Sequence, residues 1–339
     1  MALPPFAGTG MVPSTGAIFT ELNAVTRRAF VPRLVVQIYK AAPLLSMAMR
    51  NAQKARGGLN QITVPVQGAS FVNFSWTDYS GGFPQPSVQA AMQDAAWNLS
   101  VGVVPIPLLG MESLIQATEA VIPIVKARMA DAKTVAVQSI ATALYASNGG
   151  NQLAINGLLD VYDDGTVATT YGGISRTAAT FWKSTIYSTS ITPSRSTMIA
   201  RIMQLTKLAG GEGPDVVVMS MGDWTTLLAD FMTAEQFHTT PDSRYGNDDA
   251  INAGFRCLML GNTAILADPF CPTGTAYLIN SKYLALYISE DANFAFSGFQ
   301  SLIANNQIAS VGVVISAMAL ACSKPVSGMQ LSNVAGAAF

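Results

Sequence analysis

Charge is scarce in this chain. Lys and Arg number 19 and Asp and Glu 20 among 339 residues, so charged side chains make up 12% and the formal net charge is −1. Soluble domains usually carry about 25%. Half of the residues are hydrophobic, which excludes intrinsic disorder, since a disordered chain needs low hydrophobicity and high net charge. So few charges cover an isolated monomer poorly. Three readings remain: a membrane protein, a protein with an uncharged polar surface, or a subunit that hides its surface against copies of itself. Long apolar runs are also lacking. A membrane helix needs about 18–20 continuous apolar residues. The best stretch, Ile308 to Cys322, is shorter and is interrupted by Ser310, Gly312 and Ser316. The N-terminus, MALPPFAGTGMVPSTG, has no Lys or Arg ahead of a hydrophobic core, so it is not read as a signal peptide. The expectation is a soluble protein made in the cytoplasm, with no membrane partner.

Histidine and cysteine are nearly absent. His238 is the one histidine. It cannot build a multi-histidine metal site, and no GxSxG elbow accompanies it for a triad. Cys257, Cys271 and Cys322 are widely spaced and form no CxxC pair, so they read as free thiols rather than zinc ligands. Nucleotide motifs are missing too. Gly210-Gly211-Glu212-Gly213-Pro214 lacks the Lys-Ser/Thr of a phosphate loop and no GxGxxG occurs, leaving a turn as its reading. Asp160, Asp163 and Asp164 with Gly165 hint weakly at calcium, but their spacing does not fit an EF-hand and Asp-Gly is first a turn signal. Asp248 and Asp249 sit together in a polar loop. No catalytic, cofactor or metal constellation emerges, and no enzyme activity is expected.

What is present is uneven. Up to Arg56 the chain holds seven basic residues (Arg27, Arg28, Arg33, Lys40, Arg50, Lys54, Arg56) against Glu21, or +6, and the remainder has 12 basic and 19 acidic residues, or −7. Such a segment reads either as an arm meeting polyanion or acidic neighbours or as a helix with solvated arginines. From Gly57 to Val125 there is no Lys or Arg. Ile62, Val64 and Val66 alternate with polar residues, and Trp97, Leu99, Val101 and Val103 alternate with Asn98, Ser100 and Gly102. Strict alternation predicts two half-buried strands. The aromatic, Gly- and Pro-rich stretch between them reads as the tip of a long two-stranded excursion. An isolated ribbon is marginal in water, so it needs a surface to lie on.

A helical stretch follows from about Glu112 to Ser147, which Pro123 is expected to divide. Beyond it Val125, Met129, Ala132, Ala136, Ile140 and Leu144 recur at three and four, and Asn148-Gly149-Gly150 supplies a stop. This helix would be about 35 Å long at about 1.5 Å per residue. Further on, the pattern predicts a helix at Thr197–Leu208, a buried strand at Asp215–Ser220 and a helix N-capped by Asp223. Strands are predicted at Phe255–Leu260, Ala264–Ala267, Ala276–Ile279, Tyr283–Ile288 and Val311–Ile315. No internal repeat is evident.

In this order the elements resemble the major capsid protein of tailed double-stranded DNA bacteriophages, which has the Hong Kong 97-like fold. The resemblance rests on Asn156-Gly157-Leu158 after the long helix, on the Thr197–Leu208 helix, the Val216–Ser220 strand and Asp223-Trp224, on the Tyr171-Gly172-Gly173-Ile174 and Phe181-Trp182-Lys183-Ser184 pair, and on the ending Ala321-Cys322-Ser323-Lys324-Pro325-Val326. It covers essentially the whole chain. It implies an α+β fold with an N-terminal arm (1–56), an E-loop hairpin (57–107), a peripheral domain with a spine helix (108–195), an axial domain (196–306) and a return to the peripheral domain with a C-terminal tail (307–339). It implies assembly into hexamers and pentamers of an icosahedral shell around packaged DNA, in a virion made in a bacterial host, with scaffolding, portal and cement proteins as partners. Intersubunit E-loop contacts would fall at Ile62, Val64, Val66, Phe71, Phe74, Trp76, Trp97 and Leu99. Arg27, Arg28 and Arg33 would touch DNA or a neighbour at the inner face. The chain starts at the arm, without the charged scaffolding region some members carry, which implies a separate scaffolding protein, none, or a processed form. The E-loop has no lysine, so the lysine–asparagine crosslink of some members is not expected. An encapsulin-like compartment enclosing protein cargo, and an unrecognised cytosolic α+β enzyme, are the other readings.

Overall fold

The structure, a computed structural model, describes residues 42–55, 61–68, 92–109, 118–151, 153–234, 257–302, 307 and 309–336. Helix α1 (Pro43–Arg50) starts on a proline, whose missing N–H and fixed φ suit a first turn. Then come β1 (Gln53–Ala55), β2 (Gln61–Gln67), β3 (Met92–Asn98), β4 (Ser100–Leu109) and the long α2 (Thr118–Ala143). The short α3 (Leu158–Val161), β5 (Thr170–Tyr171), β6 (Ile174–Ser175) and β7 (Thr185–Tyr187) precede α4 (Arg195–Leu208), β8 (Val216–Met219) and α5 (Met221–Ala234). Strands complete the chain: β9 (Cys257–Leu260), β10 (Thr263–Ala267), β11 (Ala276–Ile279), β12 (Leu284–Ser289), β13 (Ala295–Ser301), β14 (Ala309–Cys322) and β15 (Met329–Leu331). The expected α+β class is what the structure has. Among the described residues no helix is long and apolar enough to cross a membrane.

Helix α2 corrects one expectation. Its backbone is helical straight through Pro123 for 26 residues. The proline lies in the second turn, where its missing N–H deprives only the Glu119 carbonyl of an intrahelical partner. The apolar stripe behaves as its spacing demands: Met129, Ala136 and Leu144 are buried, joined by Val137 and Ala141, with Ala132 and Ile140 packed beside them.

Six strands form one sheet in the order β7-β15-β11-β8-β10-β9. Its central strands send alternate residues into two cores. Val217, Met219, Ile265 and Leu278 meet Met198 and Leu205 of α4 and Trp224 and Leu227 of α5. Val216, Val218, Leu266, Tyr277 and Ile279 join the larger core on the other face. A strand covered on both faces has no polar side, which is why β8 reads as unbroken VVVM. Helix α4 is N-capped by Ser194, reciprocated by Thr197. For α5 the cap is Ser220, not Asp223: Asp223 N–H donates to Ser220 Oγ at 3.3 Å and that hydroxyl donates back to Asp223 Oδ2 at 2.7 Å. Asp223 thus supplies the reciprocal half of the cap from inside the first turn.

The second sheet runs β1-β12-β14-β13, with β4 also on β14. Strands β4 and β13 pair with the same stretch of β14, around Ser310 to Ile315, so they occupy its opposite edges. Residues 100–109 belong to this sheet, and the β2–β3 ribbon ends at Asn98. Strands β12 and β13 also pair with β14, so the chain leaves the six-stranded sheet after Ile279, and β15 then returns to it beside β11. Near this crossing Glu212 pairs with Lys282 at 2.7 Å and Lys324 at 3.2 Å and accepts from the Tyr283 hydroxyl.

Candidate assembly surfaces: an anchored ribbon and an open sheet face

Strands β2 and β3 form an antiparallel ribbon in register from Gln61↔Asn98 to Gln67↔Met92. Ile62 opposes Trp97, Val64 opposes Ala95 and Val66 opposes Gln93, so these pairs share one face. Val66, Ala95 and Trp97 are buried, while Ile62, Val64 and Leu99 are half-buried. The cover comes from this chain. The Trp97 ring sits 5.6 Å from that of Tyr171 in a T-shaped contact, and Tyr171 lies 6.0 Å from Trp182. The Ala96 N–H donates to Gly172 O at 2.8 Å. Gly172 has φ +57°, and a Cβ there would lie 3.0 Å from the Trp97 ring, so the close approach needs a glycine. Trp97 and Val66 are buried within their own chain, and the β5–β6 hairpin provides a surface on which the ribbon lies. Phe71, Phe74, Trp76, Arg27, Arg28 and Arg33 lie outside the described residues, as do His238, Asp248 and Asp249.

Beneath this platform is a residue that sequence reading missed. Arg176 is fully buried. Its Nη2 donates to the carbonyls of Asp160 (2.7 Å) and Val161 (2.8 Å), Nη1 to that of Ala168 (3.0 Å) and Nε to that of Trp182 (3.4 Å). Nη1 is also 3.4 Å from Asp163 Oδ2, and the guanidinium lies 5.1 Å from the Tyr171 ring centroid. Burial lowers the arginine's pKa, and the Asp163 charge opposes that shift. Burial would raise Asp163, but the N–H groups of Ala168, Gly165 and Val167 and the Thr166 hydroxyl hold it below its ordinary value. Asp160 accepts from the Ser147 hydroxyl (2.5 Å) and the Asn148 N–H (2.7 Å) just after α2. The acidic cluster that hinted at calcium thus spends its oxygens on the chain's own donors, and among the described residues no group of three or more His, Cys, Asp or Glu could hold a metal. The Tyr171 hydroxyl accepts from Cys322 N–H at 3.0 Å, tying the platform to β14. The available signal was the YGGI and FWKS pair, aromatic and flanking one arginine.

The open surface lies one residue further on. Along β4 the alternation changes phase: Ser100, Ile106 and Leu108 are buried, whereas Val101 is 58% and Val103 55% exposed. Pro105 and Pro107 continue the outer face, joined by half-buried Val311, Val313 and Ile315 of β14. All seven residues are apolar and none is charged. The prolines at alternate positions point to one edge, and Arg128 Nη1 from α2 donates to Pro107 O at 2.6 Å. That edge is the one away from β14, where a missing N–H leaves the ladder intact.

No protein-family model matches the sequence, and no curated protein sequence is similar to it. Similarity appears in structure. A cyanophage A-1(L) capsid chain aligns over 87% of this chain and 93% of its own length, with TM-score 0.62 and 16% identity. The SrpI encapsulin of Synechococcus elongatus PCC 7942 aligns over 86% and 87%, with TM-score 0.55 and 10% identity. The capsid of a native GTA particle aligns over 86% and 91%, with TM-score 0.50 and 11% identity. The chain has the fold of phage capsid proteins, shared with an encapsulin.

Proposed function

We propose that this chain is the major capsid subunit of a tailed double-stranded DNA bacteriophage, forming hexamers and pentamers of an icosahedral shell. The observation that carries the reading is the uncharged, apolar outer face of β4 and β14 on a chain with this fold. Contiguous exposed apolar surface marks an interaction site, and obligate interfaces are more hydrophobic than transient ones and bury upwards of about 2,000 Å². Contacts between unlike patches of successive copies close into rings. In this reading the low charge is the composition of a surface largely spent on neighbours. Phe71, Phe74 and Trp76, in the sequence between Gly68 and Met92, are in this reading the residues that contact the next subunit. Arg27, Arg28 and Arg33 bind phosphate without sequence preference, in a salt-sensitive way. Scaffolding, portal and cement proteins are the partners such a shell would take, and the role requires no catalysis.

Electron microscopy of the expressed protein tests this. Closed shells are expected, and replacing 69–91 by a short linker should leave a folded subunit that forms none. Normal shells from that deletion would refute the role given to the excursion. With no lysine from Gly57 to Val125, denatured shells should run as monomer; covalent ladders that survive reduction would contradict this. The similarity to an encapsulin favours a second reading, a compartment around protein cargo. The contents of purified particles separate the two: nuclease-sensitive DNA for a phage, a co-purifying enzyme for a compartment.

A further inference from the structure

Just after α2 the chain gathers a set of proton donors and acceptors around one side-chain amide. Helix α2 ends at Ala143, the chain turns through Asn148-Gly149-Gly150, and α3 carries Asp160 back to that turn. The Gly149 N–H donates to Ser147 Oγ at 3.0 Å, and the Ser147 hydroxyl donates to Asp160 Oδ1 at 2.5 Å. Asp160 is buried. The Gly150 N–H donates to Asn148 Oδ1 at 2.9 Å, and Asn148 Nδ2 donates to Asn156 Oδ1 at 2.5 Å. Gly149 and Gly150 are exposed, and a Cβ on either would meet nothing within 4 Å. The sequence holds one other Asn-Gly pair, Asn156-Gly157. It is packed differently: Gly157 is buried, and a Cβ there would lie 2.1 Å from the Ala146 carbonyl oxygen.

We infer that Asn148-Gly149 is a self-modifying site, at which the chain converts its own asparagine carboxamide to aspartate and isoaspartate. The inference does not depend on the shell reading. A backbone amide nitrogen is a poor nucleophile until its proton is taken, and a hydroxyl backed by a carboxylate is a relay that can take it. The Gly149 amide proton passes to Ser147 Oγ while the Ser147 hydroxyl proton passes to Asp160 Oδ1. The nitrogen attacks Asn148 Cγ and forms the N–C bond of a cyclic imide. The charge that develops on Asn148 Oδ1 is met by the Gly150 N–H, which already donates to that oxygen. Nδ2 takes a proton from water and leaves as ammonia when the Cγ–Nδ2 bond breaks. Asp160 returns its proton through Ser147 to the hydroxide left behind. A second water then opens the imide at one carbonyl or the other, giving aspartate or isoaspartate, with no change of oxidation state. The exposed glycines leave room for the ring and for that water. The product is a carboxylate at 148, and Asn156 Oδ1 loses its donor. Asn148 lines one cavity with Gln61, Trp97 and Asn98, so the new charge appears at the foot of the β2–β3 ribbon. The chain holds no means of reversing the step, which therefore marks the age of a subunit.

Ageing of the full-length chain in neutral buffer tests this, with peptide mapping by mass spectrometry to follow aspartate and isoaspartate at each asparagine. The reference is a synthetic peptide from Leu144 to Leu153, which has the same Asn-Gly pair but not Asp160. Conversion at Asn148 in the folded chain should run at least tenfold faster than in the peptide, while Asn156 stays an amide. Ser147→Ala should remove that advantage and bring the folded rate down to the peptide's or below it. A folded wild-type rate no faster than the peptide's overturns the inference, and this comparison needs no variant to fold. Conversion of Asn156 as fast as that of Asn148, or a Ser147→Ala chain of wild-type urea midpoint that converts at the wild-type rate, overturns it as well.

Discussion

Strands β3 and β4 are separated by a single residue, Leu99, and carry the same kind of alternation, yet their apolar side chains end in opposite places. Trp97 is 2% exposed and Val101 is 58% exposed. The difference lies in the partner. β3 pairs with β2 and lays its apolar face on the Tyr171 hairpin. β4 pairs with β14, turns Ile106 and Leu108 into the core and leaves Val101, Val103, Pro105 and Pro107 outside. Alternation thus reports that a strand has two unlike faces. Which face is the inner one is decided by the neighbour across the ladder, and a one-residue change of phase reverses it. The two strands differ accordingly: β3 is fixed to the chain's own hairpin, and β4 presents surface.

That division can be broken from the anchored side, where the effects are largest. Arg176→Met should destabilise the subunit by about 3–5 kcal/mol in urea unfolding, because it leaves Asp163 as a buried charge without its partner. The carbonyls of Asp160 and Val161 lose donors as well, so the upper end is expected. Trp97→Ala should cost about 3–5 kcal/mol as a large buried aromatic is removed; wild-type stability would show that the ribbon is not held by its platform. Gly172→Ala is milder, about 1–2 kcal/mol for an L-residue held at positive φ, with a further push on the Trp97 ring. Acid probes the same anchor. Asp163 titrates below its ordinary value of 3.8, so its contribution is complete above that pH and is lost as pH falls below it. Unfolding curves between pH 5 and about pH 2.5 should show this slope, and Asp163→Asn should flatten it. The smallest effect is expected on the open side. V101S/V103S should change subunit stability by no more than about 0.5 kcal/mol, as surface substitutions do, while lowering shell yield in the same preparation. A large loss of subunit stability would place these valines in the core and erase the contrast.

Much of the framework was legible in the sequence, for local reasons. The α2 stripe from Met129 to Leu144, the α4 helix and the VVVM strand follow from periodicity and length. The phase change at Leu99 was not legible, because Trp97, Leu99, Val101 and Val103 alternate without interruption and only the pairing with β14 separates them. Nor was the crossing after Ile279, since β12 and β13 look the same whichever sheet receives them. Arg176 stayed hidden for a different reason. An arginine reads as surface, and its burial depends on four carbonyls and a carboxylate gathered from residues 160 to 182. Of the candidate surfaces, the β2–β3 pairing was legible from its alternation, whereas the burial of Trp97 and the exposure of Val101 were not.

The prolines of β4 bear on how such a chain behaves when many copies are made at once. A ten-residue strand at the rim of a sheet is a template on which crowded nascent chains can stack in any register. Pro105 and Pro107 delete two successive donors from that rim, and Arg128 occupies the Pro107 carbonyl between α2 and the strand. The N–H groups left pointing outward ahead of Pro105 are those of Val101 and Val103, too short a run to seed an extended ladder. Crowding then raises the frequency of encounters between sticky faces without opening a parallel route to fibres, and restoring donors with P105V/P107V should turn the same concentration into a hazard.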